Sequence, residues 1–152
     1  MSLKVTTIKD GVVIDHIPND DVFKVYNILH LQKQKHPLTM ALNLHSKTMP
    51  HKGMIKIESK HLSKDELMKI ALIAPGVTVN LIANENVVEK LHLVIPNNVV
   101  NTLLCNNSKC ISNFERNINT SFNISVYKKL HYAKCLYCEK EYLLKELSLH
   151  EN

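Results

Sequence analysis

Leu62-Ser63-Lys64-Asp65-Glu66-Leu67-Met68-Lys69-Ile70-Ala71-Leu72-Ile73-Ala74-Pro75-Gly76 is the stretch from which the fold reads outward. Ser63 and Glu66 have the spacing of a capping box, and Leu62 and Leu67 are placed to close a hydrophobic staple. Leu67, Ile70, Ala71 and Ala74 then line one helical face, and Pro75-Gly76 stops the helix. On the N-terminal side, Gly53 to Glu58 alternates. Ile55 and Ile57 point to one face; Lys52, Met54 and Lys56 point to the other. On the C-terminal side, Val77 to Ala83 and Val87 to Ile95 read as strands separated by the polar turn Asn84-Glu85-Asn86.

Further out, Thr39 to His45 reads as another strand. Before it, Asn19, Asp20 and Asp21 offer an N-cap and first-turn carboxylates for a helix running to about Gln34. Val22, Val25, Tyr26 and Leu29 form its apolar stripe. Val12 to Ile17 is a strand ended by Pro18, and Leu3 to Lys9 alternates ahead of the turn dipeptide Asp10-Gly11. The order β-β-α-β-β-α-β-β predicts an α+β unit: an antiparallel sheet with two helices on one face, related to ferredoxin-like folds. Pro96-Asn97-Asn98 divides the chain into expected domains 1–96 and 97–152. The second carries short β segments, Ser121 to Tyr127 and Leu130 to Ala133, and helix signals from Glu139 to Leu149.

Apolar residues make up 45% and charged residues 22% of the 152, as in ordinary globular proteins. No apolar run reaches the roughly 18 residues of a membrane span. Met1-Ser2-Leu3-Lys4-Val5 lacks an apolar signal core, so a cytoplasmic protein with no membrane partner is expected. The net charge of +5 is spread over both parts. Among the basic residues the one arginine is Arg116, whereas arginine forks are the usual readers of base edges and phosphates. Sequence-specific nucleic-acid binding is therefore poorly supported. One bias is local: Lys24 to Lys60 contains seven lysines against a single acid, Glu58.

All four cysteines lie in the second part, where a small domain needs a covalent or metal staple. Cys105 and Cys110 are separated by four residues, and Cys135 and Cys138 by two. Two such knuckles facing each other present four thiolates as a tetrahedron, the closed shell of a structural Zn²⁺ site with no position left for a reacting water. Asn106-Asn107-Ser108-Lys109 suits the first turn. Disulfides would need an oxidising compartment. A redox Cys-x-x-Cys would leave Cys105 and Cys110 without a role. One structural Zn²⁺ per chain is the expectation; a zinc-ribbon nucleic-acid-binding protein is the alternative that this pattern also admits. Of the histidines, His30, His36, His45, His51, His131 and His150 read as surface residues, whereas His16 follows Asp15 inside an apolar strand.

Taken together these segments resemble the regulatory chain of aspartate carbamoyltransferase. The resemblance rests on Gly11-Val12-Val13-Ile14-Asp15-His16-Ile17-Pro18, Lys52 to Glu58, Leu62-Ser63, Ala71-Leu72-Ile73-Ala74-Pro75 and Thr78-Val79-Asn80. In the last third it rests on Cys105 to Ser112 and Cys135 to Glu141. It implies a non-catalytic allosteric subunit in pyrimidine biosynthesis. The first domain would bind a nucleotide effector, CTP or ATP, and pair with a second regulatory chain; the zinc domain would dock on a catalytic chain. Effector-site roles carry over onto Asp15, His16, Lys56 and Lys90, with Lys52, Ile8, Val13, Asn80 and Ile82 as neighbours. This chain has Asn106 and Arg116 where family members commonly carry proline, and no aromatic in Asn84-Glu85-Asn86.

Overall fold

The central strand, β1 (Gly11–Pro18), explains the first sheet. Val12, Ile14 and Ile17 are fully buried on one side of it, so that side must be covered. In the computed structural model, which describes residues 8–151, β1 lies between β3 (Lys52–Glu58) and β4 (Thr78–Ala83). The edges are β2 (Leu38–Leu44) and β5 (Asn86–His92), giving the order β2-β3-β1-β4-β5. All these pairings are antiparallel.

Two helices, α1 (Val22–Ile28) and α2 (Lys64–Ile73), cover the buried side. Val22 and Val25 of α1 and Ile70 of α2 share one core with Val12, Ile14, Ile55, Ile57 and Val79, so both helices pack on the same face. Each such side chain contributes roughly 1.5–3 kcal/mol on burial. The expected two-helix antiparallel arrangement is therefore present. At α2 the capping box is formed: Glu66 N–H donates to Ser63 Oγ at 3.1 Å, and Ser63 N–H donates to Glu66 Oε1 at 3.1 Å.

One boundary differs from expectation, and one expected strand falls largely outside the described residues. The first helix stops at Ile28 rather than Gln34, because His30 takes a left-handed backbone (φ 52°) and a 3-10 turn, Leu31–Lys33, follows. That kink turns Leu31 into the core, where it is 2% exposed. The strand expected over Leu3 to Lys9 lies outside the described residues apart from Ile8 and Lys9, neither of which joins a strand.

The chain divides into two compact units, Met1–Val94 and Ile95–Asn152. The second holds an antiparallel sheet of β6 (Asn98–Val100), β7 (Ser121–Tyr127), β8 (Leu130–Cys135) and β9 (Glu141–Leu143) in that order. Its buried apolar set is short: Val99, Leu103, Phe122, Ala133, Leu144 and Leu147 besides the cysteines. The helix expected over Glu139 to Leu149 is not formed. Cys135 N–H donates to the Lys140 carbonyl at 3.0 Å, so the chain doubles back and residues 141–143 add a strand to β8. A 3-10 turn, Leu144–Glu146, follows. Beyond it, Leu104 N–H reaches the Ser148 carbonyl at 2.9 Å and His150 N–H the Thr102 carbonyl at 2.7 Å.

Candidate metal centre and charged sheet face

The two cysteine knuckles converge. Cys135 ends β8 and Cys138 follows in the turn, where Glu139 N–H donates to the Cys135 carbonyl at 2.9 Å. Glu139 has φ 63°, the left-handed conformation that such a tight turn requires. In the other knuckle, Lys109 N–H donates to Asn107 Oδ1 at 3.1 Å and Cys110 N–H to the Asn107 carbonyl at 2.9 Å. Asn113 Nδ2 ties the loop shut on the Cys105 and Asn107 carbonyls, at 3.1 and 2.7 Å.

All four sulfurs lie within 4.8 Å of one another. Cys105 and Cys138 are 3.7 Å apart, as are Cys110 and Cys135. Four thiolates held about 2.3 Å from a tetrahedral ion would sit about 3.8 Å apart. The donor set therefore fits a structural metal, and its four soft sulfurs close the coordination shell.

Burial pushes the Cys105 thiol up to about 12 and also raises Cys135. At Cys138 burial opposes ionisation, but hydrogen bonds from the Lys140 N–H, the Asn107 side chain and the neighbouring thiols hold it down to about 7. Tyr142 is a residue that sequence reasoning missed. Burial and the adjacent Cys105, Cys138 and Cys135 sulfurs push its hydroxyl up to about 12. It reaches them only because β9 pairs with β8, Tyr142 opposite Ala133.

The second region is the face of the first sheet that the helices leave open. Cross-strand pairing aligns Thr39 with Lys56, Lys56 with Val13, Val13 with Asn80, and Asn80 with Lys90. Opposed residues on one ladder share a face, so one row crosses all five strands and carries ammonium groups on both sides of Val13 and Asn80. Neither Lys56 nor Lys90 forms an ion pair among the described residues. One step along, Ile82 stands opposite Gly11; the other way, Asp15 stands opposite Thr78. Asp15 accepts from Lys52 Nζ with both oxygens, at 3.0 and 3.2 Å.

Between Ile14 and Ile17 the pairing of β1 slips, and His16 takes φ 61°. Its backbone N–H donates to Asp15 Oδ1 at 2.7 Å, whereas its buried Nδ1 has no hydrogen-bond partner among the described residues. The structure thus brings Lys56, Val13, Asn80 and Lys90 into one row, with Ile82, Asp15 and Lys52 beside it. Ile8 is buried just ahead of β1, and no strand pairing assigns it to that row. Thr39, at the far end, was not expected. With Ala41, Leu44, Met54 and Lys56 it lines a shallow apolar pocket.

Two family models cover most of the chain. The aspartate carbamoyltransferase regulatory chain allosteric domain matches residues 3–94, and the metal binding domain of the same chain matches residues 97–148. Among curated relatives, the aspartate carbamoyltransferase regulatory chain of Thermococcus onnurineus is 44% identical over 91% of both chains. That of Methanococcus maripaludis is also 44% identical over 91% of both. The Parabacteroides distasonis chain is 40% identical over 91% of this chain and 89% of its own. With an allosteric unit and a metal-binding unit in one chain, this protein belongs to the family of aspartate carbamoyltransferase regulatory chains, non-catalytic subunits of that enzyme.

Proposed function

We propose that this regulatory chain binds a nucleoside triphosphate, CTP or ATP, across the open face of its first sheet, and thereby sets the activity of aspartate carbamoyltransferase in cytoplasmic pyrimidine biosynthesis. The row from Thr39 through Lys56, Val13 and Asn80 to Lys90 carries this reading. A triphosphate needs point-charge donors, which Lys56 and Lys90 supply. A nucleoside needs apolar surface and a few directional polar groups, which Val13, Ile82 and Asn80 supply. Asp15 anchors Lys52 beside the row. His16 sits next to this pair, its buried Nδ1 3.8 Å from Asp15 Oδ2.

Effector binding works by favouring one of two quaternary states, which requires unequal affinity for the two. The first unit pairs with a second regulatory chain, and the second unit, folded around one Zn²⁺, docks on a catalytic chain. Calorimetric titration of the assembled enzyme with CTP and ATP tests the site. Lys56→Ala and Lys90→Ala should each weaken binding roughly tenfold or more, the loss expected of one charge-assisted contact. Unchanged affinity in both variants removes the assignment. Chelation should release the catalytic chains, and a mixed assembly that survives loss of its metal refutes the docking role.

A further inference from the structure

The connection between β2 and β3 carries two histidines that neither the metal centre nor the sheet face uses. The last pair of this ladder is Leu44 with Lys52, so His45 and His51 stand one step further out, directly across from each other. Ser46 N–H donates to the Met49 carbonyl at 3.1 Å, and the Ser46 and Thr48 hydroxyls are 3.3 Å apart. The loop is thereby closed, and the two histidines form its neck. Both are exposed, with ring centres 6.3 Å apart and planes inclined at 45°.

We infer that His45 and His51 form a second, exchangeable metal site, a two-imidazole clip for one borderline divalent cation such as Zn²⁺ or Ni²⁺, completed by water. The spacing supports it. A metal–nitrogen bond of about 2.1 Å, with about 1.2 Å from nitrogen to ring centre, separates two ring centres by about 5.4 Å on a tetrahedral ion and about 6.6 Å on a linear one. The observed 6.3 Å falls at the open end of that range, and exposed rings rotate within nanoseconds. Cross-strand opposition sets the Cβ atoms about 5 Å apart, so both rings can turn toward one point without moving the backbone. Imidazole is the ligand type that suits Zn²⁺ and Ni²⁺. The neighbouring ammonium, Lys52, is already engaged by Asp15 at 3.0 Å, which lowers the repulsion a cation would meet. The clip joins the start of β3 to the end of the edge strand.

The test uses full-length chain carrying one metal equivalent at its cysteines, titrated with Ni²⁺ by calorimetry. Ni–thiolate absorption is followed to detect exchange at the cysteine site, and histidine ring-proton resonances to locate the ion. One further equivalent should bind without thiolate absorption, with selective paramagnetic broadening of the His45 and His51 signals. His45→Gln or His51→Gln should each weaken uptake on the order of tenfold, because half the protein donors are lost. His36→Gln should leave uptake unchanged. Three results overturn the inference: no further equivalent bound, uptake unchanged in both clip variants, or broadening confined to other histidines.

Discussion

Gly11 carries a backbone angle of φ 145°, and a Cβ there would run into the Ile57 carbonyl oxygen. Gly11→Ala should therefore lower stability by about 2–3 kcal/mol, read as a lower denaturant midpoint at unchanged slope. Glu139 poses the opposite case. Its φ of 63° holds a side chain in the left-handed region, and that carboxylate forms no ion pair among the described residues. Glu139→Gly relieves this strain and should raise the thermal midpoint of the metal-bound form, by up to about 1 kcal/mol in stability. Much at this scale was readable in advance: alternation assigned Lys52 and Lys56 to one face, and spacing identified the four cysteines. The Asp15–Lys52 pair was not readable, because its members are 37 residues apart in sequence and meet only where two strands pair beside a slipped register. Tyr142 escaped for the same reason.

Among the elements, α2 was fully legible because every signal that makes it is local: cap, staple, stripe and stop lie within fifteen consecutive residues. Ser63→Ala removes the acceptor for Glu66 N–H and should cost about 1 kcal/mol, measurable by denaturant unfolding. The end of α1 was not legible, since the helical stripe continues through Leu29 while tertiary packing of Leu31 dictates the break at His30. Residues 139–149 show the same override more strongly. Their helix-forming composition yields to the knuckle at Cys135 to Cys138, which returns the chain against β8.

For the molecule as a whole, the two units differ in what holds them. The first has a continuous apolar core under two helices; the second has a short buried set gathered around four sulfurs. Metal removal should therefore unfold the Ile95–Asn152 unit and leave Met1–Val94 folded, seen as selective loss of dispersed amide resonances. Acid should act in the same direction. Cys105 holds its proton up to about 12 in the metal-free chain and Cys135 is also raised, so protons compete with the metal for these sulfurs. As pH falls the thiol form gains, and apparent metal affinity, measured against a competing chelator, should decrease between about pH 8 and about pH 6. The sheet of the first unit has one more consequence. Its spatial order β2-β3-β1-β4-β5 interleaves segments distant along the chain. Anything seated along its central row acts as a crossbar between them, so a saturated chain pulled from its ends should rupture at higher force than an empty one.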